Sequence, residues 1–221
     1  MCIRDSISGE RLEELQQIAE ENMFMHASQL NDWRGKLNIF VKGEGVWVED
    51  AKGKKYLDSM GGLWYKAAGY GRKEIADAVY KQMLNISYSP GGSVTPVTAE
   101  LAAKVASMAP DKESRIYFVS GGSEAVETAM KMAKNFQYNI GERNRWKIIS
   151  RRGSYHGGTL ATMSLGGGIF PSSRFGPLVP GNIHIEQTDS YRGRCCASKG
   201  GCTLECAKAV SYTHLTLPTK A

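Results

Sequence analysis

The chain has 221 residues, 42% of them hydrophobic, and a formal net charge of +6. That length suits one large domain or two small ones, and that hydrophobic share is ordinary for a globular protein. The positive charge is spread out with no Lys/Arg tract, which argues against a nucleic-acid partner, and no apolar run approaches the ~18 residues of a membrane span.

The two ends read as foreign to the fold. Met1-Cys2-Ile3-Arg4-Asp5 can be encoded by ATG TGT ATA AGA GAC, whose reverse complement, GTC TCT TAT ACA CAT, encodes Val210-Ser211-Tyr212-Thr213-His214. Such a match at opposite ends marks a translated sequencing adapter, continued by Leu215 to Ala221. Residues 1–6 and 210–221 are therefore expected to be adapter-derived tails, and the chain between them a fragment. Once Cys2 is set aside, Cys195, Cys196, Cys202 and Cys206 remain. A vicinal pair followed by wider gaps fits a zinc site poorly, so these are expected to be reduced loop cysteines and no metal site is expected.

Residues 7–22 carry Leu12, Leu15, Ile18 and Ala19 at helical spacing. Residues 23–42 read as irregular, with His26, Trp33 and Arg34 as notable side chains. Gly45 to Asp58 reads as a β-hairpin with a turn containing Gly53, followed by the glycine-rich bends Met60-Gly61-Gly62-Leu63-Trp64-Tyr65 and Gly69-Tyr70-Gly71. A helix follows from Arg72 with Ile75, Val79, Met83 and Ile86 on one face. After a Gly/Ser/Pro loop, Thr95 or Thr98 can cap a helix bearing Leu101, Ala102, Val105 and Met108. Ile116-Tyr117-Phe118-Val119 reads as a strand, the run from Ser123 to Asn139 as a helix, and Trp146 to Ser150 as a second strand. That alternation predicts an α/β domain with a parallel sheet. A further Gly-rich turn, Ser154-Tyr155-His156-Gly157-Gly158-Thr159, precedes a helix-like segment. Residues 165–194 then read as loop interrupted by a short strand at Ile183-His184-Ile185.

The chemistry concentrates at Ser120-Gly121-Gly122-Ser123, where a strand meets a helix. Small residues let a ligand approach the backbone, the helix dipole favours negative charge, and Ser123 adds a hydroxyl. The pattern is neither a Walker loop nor a dinucleotide fingerprint. The plainer alternative is a tight turn with Ser as helix cap. Ligands in open α/β sheets gather at the carboxyl ends of strands, so Ser120–Ser123 and Tyr155–Gly158 could line one crevice. An aromatic there can stack on a flat heterocycle, although Tyr155 could equally be a packing tyrosine and His156 a capping residue. A Ser–His catalytic pair is disfavoured, because no G-x-S-x-G elbow is present.

Ser-Gly-Gly-Ser-Glu-Ala-Val-Glu-Thr-Ala-Met-Lys-Met-Ala (120–133) and Ser-Tyr-His-Gly-Gly-Thr (154–159) resemble the class III aminotransferases. The similarity extends back through Gly43 to Asp50, Tyr56-Leu57-Asp58 and Gly69-Tyr70-Gly71, and forward to Asn182-Ile183-His184. The resemblance implies a fold-type-I, aspartate-aminotransferase-like α/β architecture, truncated before the end of its large-domain sheet. Residues 7–65 would belong to the small domain and 66–209 to the first part of the large, cofactor-binding domain. The implied cofactor is pyridoxal 5'-phosphate, with Gly121, Gly122 and Ser123 at its phosphate, Tyr155 stacked on its ring and His156 beside it. Gly121 falls where many members carry Ser, so a backbone N–H would take over from a hydroxyl. Met60 to Trp64 resembles the substrate-pocket segment of the ω-amino-acid and amine:pyruvate branch, which would make Trp64 a pocket residue, against the plainer alternative of a hinge-packing aromatic.

The family's Schiff-base lysine and its pyridinium-pairing aspartate match no position of this chain, so no catalytic residue is assigned and the fragment is expected to be inactive. The implied activity of the parent is transfer of an amino group from an amine or ω-amino acid to an oxo acid such as pyruvate. Another class III activity (an aminomutase or ornithine-type transaminase) and a non-catalytic phosphate-binding module stay open. The implied setting is a cytoplasmic homodimer with small-molecule partners and neither nucleic acid nor membrane.

Overall fold

A computed structural model describes residues 7–25, 28–168, 172–189, 191–192 and 204–208, without the side chains of Leu30, Ser172 and Ser173. Both terminal tails, His26, Cys195, Cys196 and Cys202 lie outside the described residues, while Cys206 is a buried free thiol. The chain divides into two compact units, Met1–Ala99 and Glu100–Ala221.

In the first unit, α1 (Gly9–Asn22) starts where the Ser8 hydroxyl accepts from Arg11 N at 3.3 Å, satisfying one of the amides a helix start leaves open. Its apolar stripe buries Leu12. Gln16 Nε2 donates to the carbonyl of Leu37, which is also buried, at 2.7 Å and ties the helix to the segment after the single turn α2 (Leu30–Trp33). Strands β1 (Phe40–Glu44), β2 (Trp47–Asp50) and β3 (Lys55–Leu57) form an antiparallel sheet in chain order. The expected hairpin is β2–β3, with Val48 opposite Tyr56. β1 lies within and beyond a stretch that reads as irregular, because Gly43 interrupts its apolar pattern. That glycine is required by packing, since a Cβ there would stand 2.6 Å from the Tyr70 ring. The amphipathic helix α3 (Lys73–Asn85) follows, and α4 (Pro96–Met108), which starts in the first unit and continues into the second, is capped by Thr95 Oγ1 accepting from Thr98 N at 3.2 Å.

The second unit is built around α5 (Gly122–Asn139) and the parallel pair β4 (Ile148–Arg151) and β5 (Asn182–Ile185), in register Ile149↔Ile183 and Ser150↔His184. The connection between these strands carries α6 (Leu160–Leu165) and the single turn α7 (Ser172–Phe175), as a parallel pair requires a crossover. α6 is held by buried hydroxyls that all find partners. Ser150 Oγ donates to Leu165 O at 2.7 Å, Ser164 Oγ donates to Leu160 O at 2.6 Å, and the same Ser164 oxygen accepts from Val179 N at 2.9 Å. Trp146 lies against Gly181, where a Cβ would stand 2.1 Å from its ring.

Ile116–Val119 differs from its expected strand. It joins no ladder among the described residues, and Tyr117, Phe118 and Val119 are exposed. Aromatic and β-branched residues favour an extended backbone, but a strand persists only where a neighbour satisfies its N–H and C=O groups.

Candidate functional site

Two turns meet in the second unit. The first opens α5. Its N-cap is Gly121, with an extended backbone (φ −166°) and no side chain to close the helix. The first-turn amides of Gly122, Ser123 and Glu124 have no carbonyl four residues back inside the helix. Ser123 does not cap its own helix. Its Oγ instead accepts from Gly158 N at 3.0 Å, joining the two turns across 35 residues of sequence. A hydroxyl that accepts in this way retains its own hydrogen for a further partner. Glu124 reaches back to accept from Ser120 N at 2.8 Å, so the acidic group is occupied at the turn's entrance.

The glycines at the junction do different work. Added Cβ atoms at Gly121 and Gly122 would meet nothing within 4 Å, so the chain's own packing demands no glycine at either position and the space in front of the helix stays open. Gly157 is the opposite case. Its φ is +137°, and a Cβ there would stand 2.5 Å from Ser123 Oγ and 2.6 Å from Thr162 Oγ1. Only glycine lets the second turn close on Ser123.

The second turn feeds α6 through a capping box in which Thr159 and Thr162 exchange hydrogen bonds, with Thr162 fully buried. The Thr159 hydroxyl also donates to Glu127 Oε1 of α5. Residues 158 and 159 are thus bonded to α5 at two places, and Tyr155 stands exposed beside them, its hydroxyl 4.0 Å from a Cβ placed on Gly158. The roles of Gly157, Gly158 and Thr159 escaped the sequence reading, although a Gly-Gly-Thr run before a helix is itself a start signal. His156 points elsewhere: it lines an open apolar groove with Val126, Met130 and Ile149, and its Nε2 is buried without a partner.

Trp64 belongs to the first unit and sits in an unusual turn. Gly61, Gly62, Leu63 and Trp64 have φ values of +56°, +59°, +54° and +75°, one turn of left-handed backbone. Trp64 N closes it on Met60 O at 3.1 Å and Lys66 N on Gly61 O at 2.8 Å. Left-handed backbone costs a non-glycine residue about 1–2 kcal/mol, so Leu63 and Trp64 are held there by their surroundings. The indole is 80% exposed.

The Asp58 carboxylate beneath this turn is held below its ordinary range, first by the hydrogen bond from Tyr70 and then, against a smaller desolvation effect, by the amides of Gly62, Met60 and Gly61. No cluster of His, Cys, Asp and Glu suited to a metal occurs among the described residues.

Comparison with known proteins places this geometry. A family model described as aminotransferase class-III matches residues 31–216. A probable aminotransferase of Mycobacterium tuberculosis is 41% identical over 155 residues, 70% of this chain and 33% of the relative. A β-alanine–pyruvate aminotransferase of Pseudomonas aeruginosa is 39% identical over 142 residues, 64% of this chain and 32% of the relative. Among solved structures, a thermostable (S)-enantioselective ω-transaminase from Thermomicrobium roseum superposes with a TM-score of 0.82 at 36% identity, covering 93% of this chain and 45% of that one. The chain spans about a third of the length of these curated relatives.

Proposed function

The chain belongs to the class-III aminotransferases and has their fold-type-I α/β architecture, and from that premise we propose that the whole protein is a pyridoxal-phosphate transaminase moving an amino group from an amine or ω-amino acid to an oxo acid such as pyruvate. The observation that carries this reading is the junction of Ser123 Oγ with Gly158 N at 3.0 Å in front of an uncapped helix start. An oxyanion seated there meets first-turn amides, the positive end of an 18-residue helix and the unspent hydrogen of Ser123. The open space before Gly121 and Gly122 admits a phosphate group where side chains would obstruct it. The donor set fits pyridoxal 5'-phosphate in charge and in size.

In this reading Gly121, Gly122 and Ser123 hold the phosphate, and Tyr155, carried on the neighbouring turn, covers the flat ring. The bound cofactor supplies the electron sink that amino-group transfer needs. The residues of this chain bind it, orient it and limit water around it. His156 stands next in sequence to the covering tyrosine with its buried Nε2 directed under α5, so it serves the cofactor only by seating the turn that carries Tyr155. Trp64 contributes a wall for the amine substrate. No lysine here matches the family's Schiff-base position, so the 221 residues alone bind the cofactor without turning over. The whole protein works as a cytoplasmic homodimer with small amines and oxo acids as its partners.

The test is direct binding. Equilibrium dialysis of the chain against pyridoxal 5'-phosphate, with pyridoxal lacking the phosphate as control, is expected to show a preference for the phosphorylated form. Ser123→Asp places a carboxylate against the phosphate and is expected to weaken binding at least tenfold. Retention of the cofactor by that variant would show that the phosphate lies elsewhere.

A further inference from the structure

We propose that Asp58 is the positioning residue for Trp64: its carboxylate pins the left-handed turn that holds the indole out, and through that turn it sets which amines the protein accepts. The inference rests on Trp64 being a wall of the substrate pocket. It adds the part of the chain that fixes that wall.

Two hydrogen bonds converge on one oxygen. Asp58 Oδ2 accepts from Gly62 N at 2.6 Å, inside the left-handed turn, and from Tyr70 Oη at 2.8 Å, beyond it. Tyr70 is itself bonded at its backbone to the sheet, donating to Gly45 O at 2.8 Å and accepting from Gly45 N at 3.1 Å. A single acceptor therefore links the turn to a residue anchored on the β1–β2 hairpin. The fit of Tyr70 is enforced from both sides. Gly43 leaves room for its ring, and a Cβ at Gly62 would stand 3.2 Å from its hydroxyl and 2.9 Å from Lys66 Cγ.

The strain explains why a pin is needed. Neither Leu63 nor Trp64 would choose a left-handed backbone unaided, and the turn's own backbone bonds, Trp64 N to Met60 O, Tyr65 N to Gly62 O and Lys66 N to Gly61 O, do not tie it to the sheet. Releasing Gly62 N from Asp58 lets φ at residues 62–64 relax toward negative values, which swings a side chain as long as indole away from its direction. Because a wall residue acts on the part of the substrate it touches, the effect should fall on bulky amines and spare small ones.

The test uses the complete enzyme, loaded with cofactor, and compares Tyr70→Phe, Asp58→Ala, Asp58→Asn and Trp64→Ala. Tyr70→Phe keeps the ring and removes one donor, so it tests the pin if Asp58→Ala folds poorly. Both are expected to raise KM for an arylalkylamine about fivefold to tenfold, with kcat and the KM for β-alanine little changed. Asp58→Asn, which keeps one acceptor oxygen, is expected to recover part of the loss. Acrylamide quenching of Trp64, in a background where every other tryptophan of the complete enzyme, Trp33, Trp47 and Trp146 included, is replaced by Phe, is expected to change in both pin variants. If quenching is unchanged in both, or if Trp64→Ala alters amine selectivity while Asp58→Ala does not, the pin is overturned. If Trp64→Ala itself leaves selectivity unchanged, the pocket reading beneath the proposal is what fails.

Discussion

The carboxylate of Asp50 stands 5% exposed at the end of β2 and accepts from Tyr56 Oη at 2.8 Å, Lys52 N at 2.9 Å and Lys54 N at 3.0 Å. Burial pushes its pKa up, but the Tyr56 hydroxyl, the two amides and the Lys52 charge together outweigh burial and hold it below the usual carboxylate range. The same bond raises the Tyr56 hydroxyl above its ordinary value. A carboxyl with a depressed folded pKa stabilises the fold above its unfolded value of about 3.9, and that stability is lost as pH falls through the folded value. The urea midpoint of the first unit, followed by Trp47 emission, should therefore be flat near neutrality and fall below about pH 4. Asp50→Asn should lower the midpoint at pH 7 and flatten the acid slope. Asp58 contributes in the same direction, so the variant's slope should shrink without vanishing. A variant with an acid slope identical to that of the parent chain would assign the transition to other groups.

The helices were the most legible elements, because a 3.6-residue apolar period survives whatever they pack against. α1, α3, α4 and α5 all lie within a residue or two of their expected spans. Strands depend on neighbours, and there the reading diverged: β1 formed around a glycine that Tyr70 demands, while Ile116–Val119 stayed unpaired despite an ideal strand composition. The site divided the same way. Gly121, Gly122, Ser123 and Tyr155 were proposed from local chemistry and family resemblance. That the two turns come together was expected from the placement of ligands at strand ends, but the Ser123–Gly158 bond that joins them was not, since nothing local to either turn specifies a contact 35 residues away.

The short helix α6 offers a test at this scale, because six residues cannot sustain a helix on their own hydrogen bonds. Beside the Ser150 and Ser164 bonds at its far end, its first turn is held by the Thr159–Thr162 box and the tie from Thr159 to Glu127. Thr159→Ala should cost about 1–2 kcal/mol, the upper end for a cap, and Thr159→Ser should recover most of it. Hydrogen exchange at the α6 amides should rise in the alanine variant while α1, in the other unit, is unaffected. A loss spread evenly over both units would contradict the local account.

Across the whole molecule, large apolar side chains remain in water at places where folding normally hides them. The inner face of α3 shows Ile75, Val79 and Met83 exposed at 49%, 52% and 63%, and the helix buries no residue at all. Tyr117, Phe118 and Val119 add an exposed apolar run that joins no strand among the described residues. Contiguous exposure of this kind promotes association and binding of apolar dyes. The 221-residue chain should therefore enhance the emission of anilinonaphthalene sulfonate under native conditions. The pair Val79→Lys and Met83→Glu removes the centre of the α3 face and places opposite charges four residues apart on its surface. It should lower that emission and the light scattering of concentrated samples. Because both positions are exposed, each change should alter stability by no more than about 0.5 kcal/mol, leaving helical circular dichroism and the urea midpoint intact. A substantial loss of stability would mean instead that these side chains are packed in the chain as it exists in solution, and that the α3 face already has its partner.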